Sequence, residues 1–127
     1  MSQEINTMPR MLNLKAGVAD ERDLSSVMVA AAADGAITIQ NSTVIVTKGT
    51  AAALTLAAPS TAQDGTKITV VSATAAAHTV TVATAGFNDL GAAGDVATFG
   101  GAKGDGLTAI AYNGDWFLTA RTNITLA

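Results

Sequence analysis

The sequence predicts an all-β protein, a small antiparallel β-sandwich or β-barrel with an extended N-terminal arm. From residue 35 onward, apolar and polar residues alternate with a period of two, which is typical of half-buried β-strands. Residues that favour turns separate these stretches at short intervals. No long amphipathic helical pattern lies between them, so we do not expect a parallel sheet whose strands are joined by helices.

Nine segments in this region combine the alternating pattern with many β-branched residues, which favour strands. They are Ala36–Gln40, Thr43–Thr47, Ala52–Leu56, Lys67–Ser72, His78–Ala83, Val96–Phe99, Leu107–Tyr112, Asp115–Ala120 and Asn123–Leu126. The clearest turn is Asn113-Gly114, because this dipeptide favours the positive φ angles of a two-residue type I′ hairpin. Many short strands at such spacing indicate a sandwich or a small barrel, and the pattern does not choose between them.

The composition predicts association with a partner. The 127 residues are enough for one domain of ordinary size. Hydrophobic residues make up 49% of the chain, but aromatic residues only 4%, and alanine, which buries little area, is abundant. Charged residues make up 13%, against roughly 25% in a typical soluble domain. We therefore expect part of the surface to be buried against a partner.

The composition changes near residue 34, and this change predicts a division into an arm (residues 1–34) and a β-domain (residues 35–127). Seven of the charged residues fall within the first 23 positions, together with apolar residues every few positions. Such apolar residues are not typical of a solvated linker, so we expect the arm to bind another protein surface. The residues expected to make this contact are Met8, Arg10, Met11, Leu12, Leu14, Arg22 and Leu24.

No motif in the chain predicts catalysis, a cofactor or a metal site, and we expect a non-enzymatic protein. His78 is the only histidine, no serine lies in a Gly-x-Ser-x-Gly motif, and there is no cysteine. Gly101–Gly106 lacks the Gly-Lys-Ser/Thr order of a phosphate-binding loop. The aspartates adjoin turns, where calcium binding by Asp89, Asp95 or Asp105 is the alternative to ordinary turn formation. The net charge of −3 argues against nucleic acid and anionic membranes as partners.

The large aromatic residues are the candidates for an interface. The glycine-rich stretch Gly86–Gly106 is long for a loop and contains two phenylalanines, and the Asn-Gly hairpin contains the tyrosine and the tryptophan. Together with the single histidine, these residues are predicted to lie at a trimer interface or on an exposed loop: His78, Phe87, Phe99, Tyr112 and Trp116.

Four segments give the chain a resemblance to a known class of proteins. They are Asp34–Ile39, Ala75–Val82, Asp95–Gly101 and Ala111–Trp116. In these segments the sequence resembles small head proteins of tailed bacteriophages, of the decoration, cement or head-fibre kind. The resemblance extends over most of residues 10–127 and carries no catalytic signature.

This resemblance implies a structural virion protein, made in the host cytoplasm, that binds the outer surface of the capsid and stabilises it. Its implied partners are the major capsid protein and two further copies of itself in a homotrimer. The alternative is an adhesion module of a tail fibre, tail tip or head fibre that contacts a host surface or glycan. Exposed aromatic residues on the loops would favour this alternative.

Overall fold

Ten strands run through residues 26–127, the part of the chain that this computed structural model describes. We number them β1 (Val27–Ala31), β2 (Gly35–Ala36), β3 (Ser42–Val46), β4 (Ala53–Thr55), β5 (Lys67–Ser72), β6 (Thr79–Thr81), β7 (Val96–Phe99), β8 (Gly106–Tyr112), β9 (Asp115–Thr122) and β10 (Ile124–Leu126). Two single-turn 3-10 helices, Thr61–Gln63 and Gly91–Ala93, lie in the connections. The strands form two five-stranded sheets that enclose one core, which confirms the predicted β-sandwich.

The first six strands enter the two sheets alternately. Sheet A has the order β9-β8-β5-β3-β1, and sheet B has the order β10-β7-β6-β4-β2. Within each sheet the neighbours from this half are parallel: β1 with β3, β3 with β5, β2 with β4, and β4 with β6. The prediction of antiparallel sheets is therefore wrong for this half. Because each connection crosses to the opposite sheet, the chain returns to a sheet in the same direction without needing a helix.

The last four strands are antiparallel to their neighbours, as predicted. β7 pairs with β6, β8 with β5, β9 with β8, and β10 with β7. The β8–β9 hairpin turns at Asn113 and Gly114, whose φ angles of 51° and 84° confirm the turn expected from the Asn-Gly dipeptide. Asn123, also with a positive φ of 54°, separates β9 from β10 and moves the chain from sheet A to sheet B.

Large aromatic side chains fill the core at the antiparallel side. Trp116, Phe87 and Phe99 are the largest fully buried side chains of the described residues. Trp116 also satisfies its indole N–H by donating to the carbonyl oxygen of Ala57, at 2.8 Å. Towards β1 and β2 the inward-facing residues are smaller, and Val44 and Leu54 are the last buried members of their rows.

The structure moves the boundary between arm and domain towards the N-terminus. Residues 26–34 fall within the predicted arm, but β1 pairs along its whole length with β3 and is the outermost of the described strands at this side of sheet A. Its sequence, Val-Met-Val-Ala-Ala, places Val27, Val29 and Ala31 on one face, and the composition change near residue 34 conceals this strand. The remainder of the predicted arm, residues 1–25, lies outside the described residues.

Candidate interaction surfaces

Four of the five residues predicted for an interface or an exposed loop lie inside the sandwich. His78, Phe87, Phe99 and Trp116 are each at most 1% exposed, so the prediction is wrong for them. These large side chains fill space between the two sheets, in a core whose other members are mostly valine, leucine, isoleucine and alanine. Tyr112 alone is on the surface, with 62% of its side chain exposed.

His78 belongs to a buried hydrogen-bond chain that joins three segments. Its Nδ1 accepts the N–H of Ala52 at 3.0 Å, so Nε2 carries the proton and donates to Thr74 Oγ1 at 2.9 Å. Thr74 Oγ1 in turn donates to the carbonyl oxygen of Lys48 at 2.6 Å. Burial, and then the positive charge of Lys48, lower the pKa of His78. The neutral imidazole is therefore a structural link, and both of its nitrogens are occupied.

The glycine-rich stretch is divided by β7 into two loops, and the second is organised around Asp105. The carboxylate of Asp105 accepts the N–H of Ala102 at 2.9 Å and two contacts from Asn123 Nδ2, at 3.1 and 3.2 Å. The Ala102 N–H, more than the Asn123 amide, holds the pKa of Asp105 below its usual range, against the opposing effect of burial. This carboxylate is only 4% exposed and is satisfied by the protein itself.

The calcium alternative gains no support from this arrangement. In residues 26–127, no three His, Cys, Asp or Glu side chains come together as a metal-binding group. Asp89 lies in the first loop, where it has a positive φ of 56°, and Asp95 immediately precedes β7. Their placement is that of turn residues.

The outer face of sheet B is free of charge across all five strands. In β4, β6 and β7 the inward residues Leu54, Val80 and Ala97 are buried. The residues on either side of each, within the same strand, point outward. The register extends this face to β2 and β10. We call it the sheet B face, and its residues are Ala36, Ala53, Thr55, Thr79, Thr81, Val96, Thr98 and Thr125.

The outer face of sheet A has a different character. Near the hairpin, Tyr112 packs against Phe117 with ring centroids 6.4 Å apart and planes tilted by 52°. Ile110 of β8 is in register with Phe117 of β9 on one side and with Lys67 of β5 on the other. At the far edge of the same sheet, Met28 is 72% exposed. This face therefore offers an aromatic patch and a cation at one side and an apolar edge strand at the other.

Within residues 26–127, the end of the sandwich at β1 and β2 is open. We use the name open end for these two edge strands and the groove between them, whose volume is about 210 Å³. The groove is lined by Val29, Val44 and Leu54 among others, and Gly35 occupies the inward position of β2 opposite Leu54. Ser42 also lines it, and its buried hydroxyl has no hydrogen-bond partner among the described residues.

The predicted capsid-binding residues cannot be placed on any of these surfaces. Met8, Arg10, Met11, Leu12, Leu14, Arg22 and Leu24 all lie outside the described residues. Sequence reasoning missed the sheet B face and the open end. The alternation of Thr79-Val80-Thr81 was a signal for the first, and that of Val27, Val29 and Ala31 was a signal for the second.

Comparisons with known proteins identify no family for this chain. No protein-family model matches the sequence. No curated protein has significant similarity to it. Among residues 26–127, the structure contains no helix with the length and apolar character needed to cross a lipid bilayer.

Proposed function

We propose that this protein decorates a bacteriophage capsid: it binds the outer surface of the head as a homotrimer and stabilises the shell. The observation that carries the proposal is the sheet B face, five strands wide and without a charged residue. Depletion of charge is a feature of the core of protein–protein interfaces. Only 13% of the residues are charged, and none of them lies on the sheet B face. This face is therefore suited to contacts between copies.

The polar groups of the interior support a structural role. His78 and Asp105, the buried ionisable residues of the described chain, are both held in internal hydrogen bonds. A catalytic acid or base needs access to a substrate proton, and neither side chain has such access. The proposal therefore assigns the protein a binding function and no reaction.

Closed cyclic symmetry explains how such a face would be used. Homo-oligomers usually bury the same patch on every subunit. Three copies meeting around an axis would cover the alanine and threonine surface of the sheet B face, which one copy leaves on its outside. The N-terminal residues, among them Met8, Arg10 and Met11, would contact the major capsid protein, and three such contacts on one trimer would bind with avidity.

The oligomeric state tests the self-association. We expect light scattering after size exclusion to give three times the 12.6 kDa mass of the chain. Thr81→Lys places a charge in the sheet B face and should reduce the mass to that of one chain. Thr43→Lys makes the same change at a half-buried outward position of sheet A and should leave the trimer intact. A monomeric wild-type protein, or a trimer that tolerates Thr81→Lys, would contradict the proposal.

Capsid binding tests the attachment. Full-length protein should sediment with undecorated heads of the phage that encodes it, and a variant lacking residues 1–10 should remain in the supernatant. The deletion ends 16 residues before Ser26, where the described sandwich begins, so an unchanged circular dichroism spectrum is the expected control. Equal sedimentation of both forms would refute attachment through these residues.

One observation favours the alternative of an adhesion module. Tyr112 and Phe117 form an aromatic pair beside the exposed hairpin turn, and aromatic faces of this kind bind sugar rings or protein hot spots. If the protein is an adhesin, Tyr112→Ala will reduce binding to host cells without changing capsid binding. Under capsid decoration alone, the same substitution will change neither.

A further inference from the structure

An apolar patch lies on the outer face of sheet A, at the end where β8 and β9 form their hairpin. Tyr112 is 62% exposed there, and the other four aromatic residues of the chain are buried or half-buried. Phe117 is half-buried, and its ring centroid lies 6.4 Å from that of Tyr112, with the planes tilted by 52°. Ile110, also half-buried, is in register with Phe117. We call these three residues the hairpin patch.

Polar residues border the hairpin patch. Asp115 is in register with Tyr112, and Lys67 is in register with Ile110. Thr108 lies two positions before Ile110 on the same face of β8. A contiguous apolar surface with a few polar groups at its border is a typical feature of a ligand-binding site.

The size of the hairpin patch favours a small ligand over a protein partner. A fully covered aromatic side chain buries about 150–250 Å², and two of the three patch residues are already half-buried, so the patch offers roughly 200–300 Å². A stable protein–protein interface buries about 800 Å² on each partner. The next outward row of sheet A consists of Thr108, Thr69 and Thr43, so the apolar surface does not continue in that direction.

A sugar ring has the chemistry that this arrangement can bind. A pyranose combines an apolar face of C–H groups with an edge of hydroxyl groups. The C–H face packs on an aromatic ring, because the face of the ring carries a partial negative charge. The hydroxyl groups donate to carboxylate oxygens, which are strong acceptors. Tyr112 supplies the first kind of contact, and Asp115 beside it supplies the second.

The charges around the hairpin favour a neutral sugar. Asp64 is the second carboxylate at this end, where its Oδ1 accepts the N–H of Asn113 at 2.8 Å. Together with Asp115 it would repel a ligand that carries a carboxylate or a phosphate. Lys67 lies two strands from Phe117, at a Cα separation of about 10 Å, with Ile110 between them. A ligand on Tyr112 therefore meets the acids before it meets the cation.

We propose that the hairpin patch binds a neutral pyranose sugar, which packs on the Tyr112 ring and donates a hydroxyl hydrogen bond to Asp115. Phe117 supports the Tyr112 ring at its tilt and widens the apolar surface. Both rings belong to strands of one hairpin, and the bond from the Asn113 N–H to Asp64 fixes the turn between them. The binding surface is therefore preformed, which reduces the entropy lost on binding.

This inference goes beyond capsid decoration, and it names the class of ligand for the adhesion alternative. The hairpin patch lies on sheet A, so the sheet B face stays available for contacts between copies. Sugar binding is measured on the purified protein without a capsid. Its absence would leave the capsid proposal standing, and a failure to bind capsids would leave the sugar site standing.

An NMR titration of the full-length ¹⁵N-labelled protein tests the site. The probes are the methyl glycosides of glucose, galactose and mannose. We expect at least one of them to shift the amide signals of residues 112–117 until they saturate, and to leave those of residues 79–81 in sheet B unchanged. If none of the three shifts the hairpin signals, or if the shifts are spread evenly over both sheets, the proposal is wrong.

Substitutions of Tyr112 test the packing on the ring. Tyr112→Leu keeps an apolar side chain and removes the aromatic face, so affinity for the bound glycoside should fall by about tenfold. Tyr112→Trp keeps an aromatic face and should retain affinity. Met28→Leu is the matched control, because Met28 is 72% exposed on the same sheet but lies at its far side. Unchanged affinity in Tyr112→Leu, with unchanged thermal unfolding, would overturn the proposal.

Substitution of Asp115 tests the carboxylate and the preference for a neutral ligand. Asp115→Asn keeps an acceptor but loses the charge, so affinity for the glycoside should fall by about fivefold. The uronic acid counterpart of that glycoside should bind the wild-type protein more weakly than the glycoside does, and Asp115→Asn should reduce this difference. Lys67→Gln is the control and should leave the affinity for the neutral glycoside unchanged. Tighter binding of the uronic acid to the wild-type protein would refute the assignment to a neutral sugar.

Discussion

The two halves of the sandwich differ in how they close. In the parallel half, β1 to β6, one inward row runs from Val80 through Leu54 to Gly35, which has no side chain, and within residues 26–127 this end is open. In the antiparallel half, β7 to β10 and the loop before them, Trp116 and Phe87 fill the interior and close it.

The two halves therefore differ in what occupies the space between the sheets: buried aromatic side chains in one, and a groove at the end of the other. The aromatic side is closed by two ring systems and needs no further strand. The strands of the other side, β1 to β6, carry no aromatic side chain, and a groove remains at their end in the described part of the chain. The contrast also predicts where the molecule is sensitive to substitution, because a rigid aromatic cluster tolerates loss of volume poorly and an open edge tolerates it well.

Removal of Trp116 should have the largest effect. Trp116→Ala deletes a fully buried side chain, loses its bond to the carbonyl of Ala57 and should cost about 3–5 kcal/mol of unfolding free energy. Phe117→Ala, at the adjacent outward position of β9, removes a half-buried ring and should cost less than half as much. Urea denaturation compares the two. Equal midpoints would mean that the aromatic cluster does not close this side.

Gly86→Ala should have the next largest effect. Gly86 has a φ of +69°, and a Cβ there would lie 2.4 Å from the carbonyl oxygen of Gly91, so backbone must move. We expect a loss of about 1–3 kcal/mol, from left-handed strain and the clash together. Gly91→Ala is the matched control, with a φ of +61° but open space around its Cβ. If both variants lose the same stability in thermal unfolding, the close approach contributes nothing.

The local pattern predicted the antiparallel half better than the parallel one. In the antiparallel half, Val96–Phe99 was predicted with its observed bounds, and Asn113-Gly114 forms the turn its chemistry requires. Parallel pairing was not predicted, because alternation with period two is the same in both kinds of sheet and does not show which sheet a strand enters. That information lies in contacts between distant segments.

The candidate surfaces were predicted least well, for the same reason. His78 was predicted to lie at an interface or on an exposed loop. It is buried instead, and its ring nitrogens bond to Ala52 and Thr74, contacts that form only in the folded protein. Trp116 and Tyr112 lie four positions apart in one hairpin, yet one is buried and the other exposed. In one continuous strand, residues four positions apart would share a face. Here a two-residue turn pairs Tyr112 with Asp115, so Trp116 lies on the opposite face from Tyr112.

The pH dependence of stability tests the link that His78 makes between the halves. Its ring joins Ala52, before β4, to the edge of the Phe99 ring in β7, with centroids 5.9 Å apart. Burial, and then the positive charge of Lys48, lower the pKa of His78, so the folded state disfavours the charged ring. A protonated ring would also place an N–H against the N–H of Ala52. The unfolded state then binds more protons below its pKa of about 6.5.

Stability should therefore be constant above pH ~6.5 and should decrease as the pH falls below that value. Denaturation midpoints between pH ~5 and ~7 isolate this effect, since the lowered pKa values of Asp34 and Asp105 cost stability only at more acidic pH, below about 3.9. His78→Gln should be less stable at pH ~7 and should lose the dependence over this interval. A wild-type midpoint that does not change between these pH values would contradict the neutral, buried ring.

The smallest effect is expected at the corner between β1 and β2. Asp34 accepts a hydrogen bond from Lys48 Nζ at 2.8 Å and another from the N–H of Ala53 at 3.0 Å, and the Lys48 bond is the main cause of its lowered pKa. Because Asp34 is exposed, water and salt screen the pair, and Lys48→Ala should leave the midpoint almost unchanged. Asp34→Ala also removes the acceptor for the Ala53 N–H and should destabilise more, even at high salt. If Lys48→Ala were the more damaging of the two, the ion pair rather than the backbone bond would hold this corner of the parallel half.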